Sequence, residues 1–250
     1  MRLSFKETIL MHFSLIILIA AIFIGLVKGG LGPVGGALIV PVLSTTMPVT
    51  DAVGLTLPLL LVGDWIALPV YWRKWDAKEL RLLLPGGVIG VVMGIVLLTT
   101  LSNDTLRHIL GVFTIGVAAY KFASDSLTDI QYTPHRWHAV LAGWGSGFGS
   151  ALANAGAPPI TAYLLLRRLT PTMFIGTTLL FFLVVNALKF PLFLATDVIK
   201  VDQVIGILWT LPLIPLGVWG GKRFVERVDP KKFERLMLVL LIAAGIVLLV

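Results

Sequence analysis

Cysteine is absent from this chain of 250 residues. That removes disulfide frameworks, cysteine-based metal sites and thiol nucleophiles at once. Charge is scarce as well: Asp, Glu, Lys and Arg make up 13% of the residues, about half of the roughly 25% usual in soluble domains. The four histidines, His12, His108, His135 and His138, fall at the ends of apolar runs or in a polar linker, without the HExxH or similar spacing of a metal enzyme. Gly145-Ser-Gly-Phe-Gly149 echoes part of a dinucleotide motif, but the strand–turn–helix setting that gives such a motif meaning is missing. The chain is therefore expected not to be an enzyme and to use no metal or other cofactor.

Apolar residues are abundant instead. The chain is 57% hydrophobic with a mean hydropathy of +0.96. Apolar runs close to the roughly 17–25 residues that cross a bilayer as a helix recur throughout: 13–27, 53–71, 82–101, 106–120, 139–153, 174–195, 204–219 and 236–250. They are apolar all round, whereas a soluble helical protein needs charged outer faces. An all-α polytopic membrane protein is expected. Its net charge of +7 comes from Lys and Arg in short loops between the runs, which fits cytoplasmic loops better than nucleic-acid binding. Arg2 and Lys6 ahead of the first run superficially resemble a signal peptide. Recurrence of that segment later in the chain argues against cleavage.

The chain repeats itself. Gly54, Thr56, Asp64 and Pro69 recur as Gly176, Thr178, Asn186 and Pro191 at an offset of 122 residues. Pro85, Gly90 and Gly94 recur as Pro212, Gly217 and Gly221 at 127, and Gly36-Ala37 as Gly156-Ala157 at 120. Two similar units follow, 1–123 and 137–250, joined by a polar linker at 124–136. Charge gives their relative orientation. Arg73, Lys74, Lys78 and Arg81 crowd one loop, and its counterpart at 195–203 holds only Lys200 against Asp197 and Asp202. Residues 100–106 contain no Lys or Arg, and their counterpart 222–235 contains six. The loop 44–50 has none, and its counterpart has Arg167 and Arg168. Equivalent loops are thus expected on opposite faces of the membrane, which makes the repeats inverted.

Inversion requires an odd number of crossings per unit. Each repeat is expected to hold a broken or re-entrant helical hairpin (8–28 with 33–44; 137–153 with 157–166) followed by three crossings (51–72, 82–101, 105–121; 173–196, 203–221, 232–250). That makes about 8–10 membrane segments, and the second arm of each hairpin reaches only about half-way through the hydrocarbon core. Both termini then lie outside the cytoplasm.

The hairpin apices are the candidate site. A glycine-rich stretch leads into a short helix that begins near Gly36 in one repeat and near Pro158 in the other. A helix N-terminus offers free amides and partial positive charge to an anion. The candidate substrate-binding residues are Gly35, Gly36, Asn154, Gly156, Ala157 and Pro158. The alternative, that these glycines only let helices pack closely, holds better for Gly29 and Gly94 taken singly. Lys28 and Lys189 are basic residues expected at membrane depth, and Asp64 is the acidic residue nearest the centre of a span. Buried charge costs about 2.5–3.5 kcal/mol or more, so it is usually paired or functional. Asn186 is the repeat counterpart of Asp64, with Lys189 three residues beyond it. Lys28 or Lys189 is a candidate anion counter-charge and Asp64 a candidate proton carrier. A structural Asp64–Lys189 pair is the equal alternative. Thr56 and Thr178 are expected to bond within their own helices.

The paired clusters Gly35-Gly36…Pro41 and Asn154-Ala-Gly-Ala-Pro158-Pro159…Tyr163, in two similar halves, resemble the TauE/SafE family of sulfite and organosulfonate exporters over nearly the whole chain. The resemblance implies export of a small sulfur-containing anion, such as sulfite or sulfoacetate, across the bacterial inner membrane. The expected partners are a small anionic solute and the bilayer, with no nucleic acid and with a homodimer left open. An anion-selective channel would use the same site but give passive flux independent of a proton gradient. A non-transporting membrane scaffold would respond to bulk at Gly36 or Gly156 in folding and not in flux.

Overall fold

The computed structural model describes residues 18, 21–26, 32–125, 135–167, 169–225, 239, 242–243 and 245–249. Among the described residues the regular structure is helical, with no strand. Residues 21–26 are helical and precede α1 (Gly32–Leu43), α2 (Val49–Ala67), α3 (Ala77–Thr100), α4 (Asn103–Asp125), α5 (Arg136–Ala153), α6 (Ala157–Leu166), α7 (Pro171–Ala195), α8 (Val201–Ile207) and α9 (Leu213–Val225). Short 3-10 turns follow α2 (Leu68–Tyr71) and α8 (Leu208–Thr210). Val49–Ala67, Ala77–Thr100 and Thr172–Ala195 are long and apolar enough to cross a membrane.

Local chemistry sets these boundaries. The Asp76 carboxylate caps α3 by accepting the amides of Lys78 at 2.8 Å and Glu79 at 3.1 Å. Thr170 caps α7, with Pro171 at the first helical position, where its missing donor costs nothing. Asn154 ends α5 in the left-handed region, at φ 50° and ψ 24°, a conformation Asn tolerates better than most residues.

Two expected elements differ. The first short helix starts at Gly32, not near Gly36. Gly35 and Gly36 therefore lie within the helix, and Pro33 takes a first-turn position that needs no donor. The expected crossing 203–221 is not one helix: α8 ends at Ile207, a 3-10 turn follows, and α9 begins at Leu213. Pro212 stands at the break, with no N–H to continue the helical ladder. Its repeat counterpart Pro85 sits inside the continuous helix α3.

Close helix packing depends on small residues, as it does in membranes generally. In the most extensive contact among the described helices, Gly86, Gly90 and Gly94 of α3 lie against the backbone of Val140, Trp144 and Phe148 of α5, and Gly143 and Gly147 of α5 lie against that of Leu83 and Gly87. A Cβ added to Gly94 would fall 2.6 Å from that of Ala151, so Gly94 is a packing residue. Gly25 meets Gly217 of α9 in the same manner, with 2.7 Å between an added Cβ and the Gly217 Cα.

Several contacts come in matching pairs. Gly54 of α2 presses on the carbonyl of Val198, just after α7, and Gly176 of α7 presses on the carbonyl of Lys74, in the loop after α2. Both of these loops turn through a left-handed residue, Arg73 at φ 59° and Asp197 at φ 55°. One end of the body is fastened by Val49 N–H to Asn103 Oδ1 (3.0 Å) and by Lys200 to Asp51 (2.7 Å). The other is fastened by Asp76 N–H to Thr177 Oγ1 (2.9 Å) and by Arg167 to Glu79 (2.6 Å).

Candidate functional site

The centre of the molecule holds a polar chain in an apolar core. Asp64 and Lys189 are fully buried, and Asn186 is 3% exposed. Where α2 crosses α7, Asn186 Nδ2 donates to Asp64 Oδ2 at 2.9 Å. These two residues are 122 apart in sequence, the same offset that relates Gly54 to Gly176. Residues equivalent in the two sequence repeats therefore touch each other here.

One turn further along α7, the Lys189 ammonium donates to Ser150 O (2.8 Å), Ser150 Oγ (2.9 Å) and Asn154 Oδ1 (2.6 Å). These bonds account for the three donors of an ammonium. They place the cation at the carbonyl end of α5, where the helix dipole favours positive charge. The Phe193 ring lies 5.8 Å from Nζ. Asn154 joins three helices: its Oδ1 accepts from Lys189 of α7, and its Nδ2 donates to Thr56 Oγ1 (2.7 Å) and Val53 O (3.3 Å) of α2. Thr56 bonds within its own helix, to Ala52 O at 2.8 Å, and also receives Asn154. Thr178 bonds to Phe174 O at 2.9 Å within α7.

The N-terminus of α6 lies beside this chain. Of its first four residues, Pro158 and Pro159 have no N–H, and Ile160 N–H donates to Ser146 Oγ at 2.9 Å. Among the described residues the amides of Gly156 and Ala157 have no hydrogen-bond partner, so they are the donors left at this helix end. An added Cβ at Gly156 would run into the Ser146 carbonyl and come 3.0 Å from the Phe182 ring, which confines this position to glycine. The amide oxygen Oδ1 of Asn186 is also buried without a partner.

Asp64, Asn186, Lys189, Asn154, Gly156, Ala157 and Pro158 are thus gathered around one hairpin turn. Gly35 and Gly36 lie at the start of α1, which packs on α6. Lys28 lies outside the described residues. The sequence pattern did not single out Ser146 and Ser150, the hydroxyls that fasten the turn, because serine in a glycine-rich helix resembles packing. It also gave Glu79 no role. Glu79 is buried and held by Tyr163 Oη (2.5 Å) and Arg167 Nε (2.6 Å), so it anchors the far end of α6 to α3. The available clue was opposite charge in two loops assigned to one side.

The described helices, three of them long and apolar enough to cross a membrane, surround a hairpin turn and a buried polar chain, the architecture of a polytopic membrane protein. The family model for the sulfite exporter TauE/SafE matches residues 17–248, and the chain belongs to that family, whose members are membrane transporters of sulfite and related anions. No curated protein and no solved structure matches the chain.

Proposed function

We propose that this protein is a secondary transporter that exports a small sulfur-containing anion, such as sulfite, sulfoacetate or a similar organosulfonate, across the bacterial inner membrane by alternating access. The observation that carries this is the meeting of Asp64 and Asn186, repeat counterparts, beside unpartnered amides at the N-terminus of α6. Such amides suit an oxyanion. Lys189 acts from behind the turn as a fixed counter-charge, since its donors are engaged by Ser150 and Asn154. Asp64 is the proton carrier.

The inverted-repeat arrangement draws support from the paired contacts. The basic loops 73–81 and 167–168 meet through Glu79–Arg167, and the loops 44–50, 100–106 and 195–203 meet through Val49–Asn103 and Asp51–Lys200. This is the grouping that charge assigned to the cytoplasmic and external faces. Both ion pairs join one repeat to the other, so they are the contacts that alternating access exchanges. Around the external pair lies a cavity of about 270 Å³ bordered by Thr50, Thr99, Thr196 and Asp197, a route by which the anion leaves.

The test is a thermal-shift screen of the purified protein against sulfite, sulfate, sulfoacetate, taurine and carboxylate analogues. A ligand of the native state raises the melting temperature according to its affinity. Efflux from proteoliposomes with and without a proton gradient follows. Passive, non-saturating flux would leave a channel in place of a transporter.

A further inference from the structure

Of the two amide side chains at the centre, Asn154 is engaged at both ends and Asn186 at its nitrogen alone, and an amide rotated by half a turn exchanges oxygen and nitrogen. The Asn186 N–H is given to Asp64 and its oxygen is buried and unpartnered. Phe182, Asn186 and Lys189 lie on one face of α7, at helical spacings of four and three residues. Phe182 abuts Gly156, and Lys189 holds Asn154. Asn186 therefore faces the turn at 154–157, whose Gly156 and Ala157 amides are the free donors. An acceptor oxygen pointed at that turn opposes an anion there.

We infer that Asn186 couples a proton on Asp64 to anion binding. With Asp64 ionised, its carboxylate can only accept, so it fixes Nδ2 towards itself and leaves Oδ1 towards the turn. When Asp64 takes a proton from water on the side to which the site is open, its new O–H donates to Oδ1. The amide then rotates, and Nδ2 joins the Gly156 and Ala157 amides as a third donor to the anion.

Charge points the same way. Among the described residues the fully buried or nearly buried charged side chains are Asp64, Glu79 and Lys189, and Glu79 is matched by Arg167. Neutralising Asp64 removes a negative charge from the region of Lys189, and an anion at the turn restores it. From the elements packed on α2, Lys189 is the charged group on the face of Asn186. Tyr71 lies beyond the end of α2, and Asp104, Arg107, His138 and Asp202 stand near helix ends. Anion and proton thus travel together. This inference rests on the transporter reading above and adds the coupling residue and its sign.

The experiment uses the full-length protein in lipid nanodiscs and methanesulfonate, a strong-acid anion whose own charge does not change between about pH 5.5 and 8.5. In the wild type the dissociation constant is expected to rise by up to about tenfold per pH unit, with uptake of about one proton per anion bound in weak buffer. Asp64→Asn, whose amide donates to Asn186 permanently, is expected to bind with pH-independent affinity and no proton uptake. Asn186→Ala is expected to bind more weakly and to lose most of the uptake. Wild-type binding without proton uptake overturns the inference, and this measurement needs no variant to fold. Full uptake in Asn186→Ala overturns the role of Asn186 and leaves Asp64 as carrier. No saturable binding of methanesulfonate, sulfite or sulfate to the wild type at any pH overturns the transporter reading, and the coupling with it.

Discussion

Glu79–Arg167 and Asp51–Lys200 fasten opposite ends of the same helical body, yet they stand in different media. Glu79 is 3% exposed and holds Tyr163 as well as Arg167, whereas Lys200 is 49% exposed and Asp51 16%. Burial makes the first pair expensive to break from the Arg167 side, because the carboxylate left behind is desolvated, whereas Arg167 itself is 34% exposed. Water and salt keep the second weak. If both are parted during transport, the end closed by Glu79 is the harder to open. The asymmetry is confined to the ion pairs. The neighbouring glycine contacts, Gly54 on Val198 and Gly176 on Lys74, are alike.

The sharpest way to break this comparison is Glu79→Ala. It leaves the buried Tyr163 hydroxyl without its charged partner and releases the partly exposed Arg167 to its surroundings, and is expected to cost about 1.5–3 kcal/mol, read as a fall in thermal midpoint and in folded yield. A loss near that of an exposed pair would erase the contrast. Next come the single hydrogen bonds that the two ends share in kind. Thr177→Val removes the acceptor for Asp76 N–H, and Asn103→Ala removes that for Val49 N–H. Each is expected to cost about 1 kcal/mol, and denaturation midpoints should shift by similar amounts at both ends. The smallest effect is expected for Lys200→Ala, at most about 1 kcal/mol. Adding salt to the wild type should bring its stability towards that of this variant, while the Glu79→Ala deficit persists.

Much of the centre was legible because a repeat aligns what folding brings together. The Asp64–Asn186 offset marked two residues that touch, and the Gly-Ala-Pro-Pro stretch marked where α5 ends and α6 begins. Other features depend on events that pattern does not carry. Pro85 and Pro212 are matched in sequence, yet one sits within a helix and the other at a break, and the packing around each decides which. Lys189 reads as an anion counter-charge or as a partner of Asp64, and the carbonyl end of α5, which spacing does not reveal, supplies the partners it holds. Gly36 reads as the start of its short helix, but the helix begins at Gly32, with Pro33 in its first turn.

The break after α8 bears on how the body transmits load. α3 is a single rod of 24 residues, and a push at one end arrives at the other. The equivalent path in the second half runs through two short helices and a 3-10 turn, where the Leu211 and Ile214 N–H groups donate to carbonyls three residues back. Such a path bends at its joint before it conveys force. The molecule thus has a strut in one half and an elbow in the other.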